Sequence, residues 1–123
     1  MMASSLHERR ILVVEDEYYL ARELADGLMG EGAAVIGPAA SVGDALDLIN
    51  DQRDLHGAIL DVNLSGEYVF TLADDLIVRG VPLIFTTGYD RTALPDRFAA
   101  VPVCEKPVNL HRILAALREV VLH

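Results

Sequence analysis

The chain has 123 residues, 52% of them hydrophobic and 24% charged, with a net charge of −9 and a sequence pI near 4.7. Its length suits one domain with a real core, and its acidity sets it against nucleic acid and anionic membrane surfaces, both of which select for Lys and Arg. No apolar run approaches the ~20 residues of a membrane span, and the N-terminus carries no secretory segment, so a cytoplasmic protein is expected.

Residues 1–8 lack a periodic pattern and are expected to be a flexible N-terminus, with the domain proper at 9–123. Ile11-Leu-Val-Val14 is a continuous apolar run, as a strand covered on both faces requires. After Glu15-Asp16-Glu17 comes a helical spacing of Leu20, Leu24 and Leu28, closed by Gly30 and Gly32. Residues 33–36 predict a second strand ended by Gly37-Pro38. Ser41 then reads as the N-cap of a helix carrying Ala45, Leu46, Leu48 and Ile49. The third strand, residues 58–60, closes on Asp61, and a helix is expected from near Gly66, through Val69, Leu72, Ala73, Leu76 and Ile77, to Gly80. Residues 81–85 are the fourth expected strand and residues 101–104 the fifth. Between them, residues 89–100 contain Pro95, which favours an irregular segment over a full helix. The last helix shows one apolar stripe, Leu110, Ile113, Leu114, Leu117, Val120 and Val121.

Strand and helix alternate throughout, which predicts an α/β domain: a doubly wound, five-stranded parallel sheet, helices on both faces, order 2-1-3-4-5. Ligands of such sheets bind beyond the carboxyl ends of the strands. The polar residues that interrupt the apolar pattern stand at those ends: Glu15 and Asp16, Asp61, Thr87 and Lys106. Carboxylates ~5 Å apart repel by about 3 kcal/mol per pair at an effective dielectric of ~20. Protonating one acid, pairing with a cation such as Lys106, or binding a metal relieves this, and oxygen-only ligands with few protein donors suit Mg²⁺. His7, His56, His111 and His123 show no ligand spacing and are expected at the surface. The lone Cys104 is expected as a small buried residue and excludes an intramolecular disulfide. An aspartate at such a site can accept a phosphoryl group, with Lys106 and the metal balancing charge and Thr87 offering a hydroxyl.

Four pieces carry a resemblance over residues 10–122: ILVVEDE, ILDVNLSGE, FTTGYD and CEKPV. In this order, at these strand ends, they resemble the receiver domain of two-component response regulators, whose fold is flavodoxin-like. The resemblance implies that Asp61 is the phosphoacceptor and that Mg²⁺ is held by Glu15, Asp16, Asp61 and the backbone carbonyl of Asn63. Thr87 would turn towards the phosphate and Lys106 would pair with it. Val103 stands where most receivers carry an aromatic switch residue. FTTGYD is similar to the FATGUY subclass, associated with HWE and HisKA2 kinases, and Tyr89, two residues beyond Thr87, is expected to take over part of the switching role. The expected protein is a single-domain regulator rather than an enzyme. It would be phosphorylated by a histidine kinase or phosphotransfer protein and act as a binding switch, sink or relay on an unknown downstream protein, as a monomer or weak dimer. Alternatives are a small aspartyl-phosphate phosphatase, disfavoured by Asn63 where a second acid is needed, and a phosphorylation-independent interaction module. A dinucleotide or flavin domain is disfavoured by acids where a glycine-rich turn belongs.

Overall fold

The computed structural model describes residues 5–51, 54–88 and 94–122. Its elements are β1 (Arg10–Val14), α1 (Tyr18–Gly30), β2 (Ala34–Ala39), α2 (Val42–Asp51), β3 (Gly57–Asp61), a hairpin of β4 (Asn63–Leu64) and β5 (Glu67–Tyr68), α3 (Phe70–Val78), β6 (Leu83–Thr87), a 3₁₀ turn (Asp96–Phe98), β7 (Val103–Glu105) and α4 (Leu110–Leu122). The main sheet is parallel, with order β2-β1-β3-β6-β7, which is the expected 2-1-3-4-5 pattern with the hairpin set aside.

Alternation along each strand sorts the apolar residues into two layers. Leu12, Val14, Leu60 and Phe85 face α2 and α3, with Ala45, Ile49, Leu72 and Leu76. Ile11, Val13, Ile59 and Ile84 face α1 and α4, with Leu24, Leu28, Ile113 and Leu117. Two buried faces explain why the strands read as unbroken apolar runs. Ser41 caps α2 as expected, its Oγ accepting the Asp44 N–H at 3.1 Å. Gly57 is required by packing rather than by its backbone: a Cβ there would lie 2.6 Å from Val121 Cγ2.

Several boundaries depart from expectation. Residues expected to lie outside the domain pack against it: Leu6 is fully buried against the α1 side of the core, and the Glu8 N–H donates to the Gly32 carbonyl at 2.8 Å. β2 runs through Gly37-Pro38 to Ala39, whose carbonyl accepts the Glu15 N–H at 2.9 Å, after a register shift between Leu12 and Val14. The helix expected from Gly66 starts at Phe70 instead. Ser65 (φ 53°) and Gly66 (φ 98°) form a tight turn between β4 and β5, and two positive φ values in succession suit a hairpin and forbid a helix. β7 starts two residues and ends one residue later than expected: the Pro102 carbonyl accepts the Phe85 N–H at 2.9 Å, and the paired register starts at Val103.

Of the segment expected to be irregular, residues 89–93 lie outside the described residues; the remainder contains the 3₁₀ turn, and two interactions anchor it. Arg97 makes a paired contact with the Asp74 carboxylate on α3, both bonds 3.0 Å, and Phe98 is buried against Phe70 and Phe85. Cys104 is half-buried rather than enclosed, since β7 is an edge strand; burial still raises its thiol pKa. His56 is likewise not a plain surface residue. Its Nδ1 accepts the Arg10 N–H at 2.9 Å, and burial, then the Arg10 charge, lowers its pKa.

Candidate functional site

Three strands deliver the charged residues of the site to one end of the sheet. Glu15 and Asp16 follow β1 directly, Asp61 is the last residue of β3, and Lys106 follows β7. Glu15 is 2% exposed and Asp61 4% exposed, so both carboxylates are withdrawn from water. Glu15, Asp16 and Asp61 each bring an oxygen into a group whose members lie within 4.8 Å of one another. Lys106 Nζ donates to Asp61 Oδ2 at 3.1 Å and to Glu15 Oε2 at 3.3 Å, with Glu17 further out at 3.9 Å. An open cleft of about 630 Å³ lies above them, lined by Asp16, Asp61, Lys106, the hairpin residues Asn63, Ser65 and Gly66, and Gly88.

The hairpin fixes the far wall of this cleft. The Asn63 N–H donates to Asp61 Oδ1 at 3.3 Å, and Asn63 Oδ1 accepts the Gly66 N–H at 2.7 Å. Ser65 Oγ donates to Asp16 Oδ2, joining the turn to the loop after β1. On the near wall, the Lys106 N–H donates to the Thr87 carbonyl at 2.8 Å, which sets the lysine at the level of the β6 terminus. Thr87 itself is buried.

The sequence matches no family model and no curated protein, but solved structures resemble the fold closely. SdrG from Sphingomonas melonis Fr1 is 35% identical, with 89% of this chain covering 95% of that one at a TM-score of 0.75. The chain belongs to the response-regulator receiver family. A response regulator from Burkholderia pseudomallei, solved with a phosphorylated aspartic acid, a calcium ion and citrate, is 27% identical over 89% of this chain and 66% of that one, with a TM-score of 0.78. PhyR from Brucella abortus, at 21% identity and a TM-score of 0.79, shares the fold; this receiver covers only 50% of its length.

Within this receiver the acidic group is under electrostatic stress that a cation would relieve. Burial pushes the Glu15 carboxyl up to about 7, and the nearby Asp61 charge adds to the effect; the Glu17 N–H and Lys106 pull the other way. Glu15 Oε1 has no hydrogen-bond partner among the described residues, although Lys106 Nζ lies 3.3 Å away without the alignment of a bond. The hydroxyl of Ser65, chiefly, lowers the Asp16 pKa. Burial disfavours the Lys106 ammonium, but the Asp61 bond and the Glu15 charge outweigh it and raise its pKa. A buried carboxylate oxygen without a partner, beside two further carboxylates, is a donor set that fits a hard divalent cation.

Of the residues expected at the site, Glu15, Asp16, Asp61, Asn63 and Lys106 meet around the cleft. Thr87 stands at the end of β6, whereas Val103 is half-buried in β7 and packs against the α3-side core rather than the cleft. Tyr89 lies outside the described residues. Sequence reasoning missed Ser65 and the side-chain role of Asn63. The Ser65-Gly66 dipeptide was a turn signal that would have placed them.

Proposed function

We propose that this receiver accepts a phosphoryl group on Asp61 from a phosphohistidine donor and uses the modified state to change its affinity for a protein partner. The observation that carries the reading is the convergence of Lys106 on Asp61 at 3.1 Å, with Glu15 and Asp16 alongside. Asp61 is the carboxylate held by both the lysine and the Asn63 N–H, and it opens onto the cleft. In the transfer, one Asp61 oxygen forms a bond to phosphorus while the phosphorus–nitrogen bond of the donor breaks, its electron pair returning to the imidazole. Lys106 stands where it can neutralise charge on the phosphoryl oxygens, and the Thr87 hydroxyl can then bond to the product.

Glu15, Asp16, Asp61 and the Asn63 carbonyl are the groups that would hold Mg²⁺, which when bound offsets negative charge on the transferring phosphoryl group. The FTTGYD run supports membership of the FATGUY subclass and, with it, an HWE or HisKA2 kinase as donor, with Tyr89 in the switching role. Asn63 spends its side-chain oxygen on Gly66 and offers no acid for rapid hydrolysis, which favours a regulator over a phosphatase. The negative charge favours a protein partner over nucleic acid, and a cytoplasmic monomer or weak dimer fits this role.

Mg²⁺-dependent transfer from a phosphorylated candidate kinase to the wild type and to Asp61→Ala tests the reading. Label should appear on the wild type alone and vanish with chelator. Equal labelling of the Asp61→Ala protein would overturn the assignment.

A further inference from the structure

We propose that Ser65 is a positioning residue for Asp16, holding that carboxylate in its metal-binding place before a cation arrives. The inference rests on the phosphoacceptor reading above and assigns a task to a residue which that reading leaves idle. Ser65 has a φ of 53°, in the left-handed region where a Cβ is unwelcome and glycine would sit without penalty. Its side chain is exposed, so core packing does not demand a serine there. What a glycine would lack is the hydroxyl, and that hydroxyl donates to Asp16 Oδ2.

The turn has other means of support. Asn63 Oδ1 accepts the Gly66 N–H at 2.7 Å, Asn63 pairs with Tyr68 and Leu64 with Glu67, and Leu64 and Val69 are buried beneath. The Ser65 hydroxyl is therefore not needed to close the hairpin. Asp16 has less to hold it: it is only half-buried, on a loop between β1 and α1. A donor mounted on a rigid hairpin removes rotamer freedom that cation binding would otherwise have to remove, so the site is pre-organised. Such supports to a metal ligand are worth 10–100-fold in affinity.

The test uses the whole chain as wild type, Ser65→Gly and Ser65→Asn. Glycine removes the hydroxyl while easing the backbone; asparagine tolerates the left-handed conformation and supplies an N–H donor. Calorimetric titration with Mg²⁺ should show Ser65→Gly weakened by about tenfold and Ser65→Asn within about threefold of wild type. Phosphorylation by a small acyl phosphate should need correspondingly more Mg²⁺ for half-maximal rate in Ser65→Gly, with the rate at saturating Mg²⁺ and the thermal midpoint not reduced. Wild-type affinity in Ser65→Gly would overturn the proposal. So would equal weakening in Ser65→Asn, which would assign the effect to the turn itself. A wild type that neither binds Mg²⁺ nor labels on Asp61 would overturn the phosphoacceptor reading and this inference with it.

Discussion

Titrating the metal-free protein through the ordinary range of carboxylates and beyond isolates the cost of burying Glu15. Its carboxyl is raised from 4.5 to about 7, with burial the largest cause. The folded state therefore holds this proton more tightly than the unfolded chain does. The associated stability is fully present below pH 4.5 and is lost as pH rises through about 7. At about 1.4 kcal/mol per pH unit, the interval corresponds to about 3 kcal/mol. Glu15→Gln has no proton to lose, so its stability in chelator should stay flat where the wild type declines. His56 gives the opposite slope, since its lowered pKa adds stability as pH rises towards 6.5, but it is common to both proteins and cancels in their difference. Urea unfolding in chelator at a series of pH values measures this difference. The gap between Glu15→Gln and wild type should widen by about 3 kcal/mol between pH 4.5 and 7.5, in favour of the variant. Saturating Mg²⁺ should restore the wild type at the upper end. Parallel curves for the two proteins would refute the claim that Glu15 is held against its charge.

Lys106→Met removes the counter-charge from two buried carboxylates and should cost about 2–3 kcal/mol in metal-free protein at pH 8, recoverable in part with Mg²⁺; unchanged urea midpoints would contradict it. Thr86 Oγ1 is buried without a hydrogen-bond partner among the described residues. Thr86→Val should therefore gain about 1 kcal/mol, a rise of roughly 4 °C in Tm by calorimetry. Phe98→Ala empties the aromatic contact with Phe70 and Phe85 and should cost about 3 kcal/mol, read from the shift in unfolding midpoint. Gly57→Ala drives a Cβ into Val121 and should lose about 1–3 kcal/mol in the same assay.

Much of the fold was legible because a doubly covered parallel sheet writes itself as apolar runs spaced by helices. The runs at residues 11–14 and 58–60 were read correctly, and both faces of each are covered. The errors fell where backbone turns rather than periodicity decide. Val69, Leu72 and Leu76 keep helical spacing on both sides of the true start of α3, so the pattern could not reveal that residues 63–68 turn back as a hairpin. Leu6 was overlooked because one apolar residue in a polar segment has no period, yet it fills a place beside Leu24 and Leu28. Val103 could be named from its position, but its packing against the α3-side core could not.

Composition and pattern by themselves determined that this chain is an acidic α/β domain, and they set its chemistry-bearing residues at strand ends. That follows from the unbroken apolar run of a strand covered on both faces and from the polar break each strand needs where it leaves the core. Only the tertiary structure decided that Lys106 reaches both Asp61 and Glu15, that one oxygen of Glu15 is left without a bond, and that Ser65 takes hold of Asp16. These contacts span 45, 91 and 49 positions of sequence, and no local rule carries distance or direction across such separations.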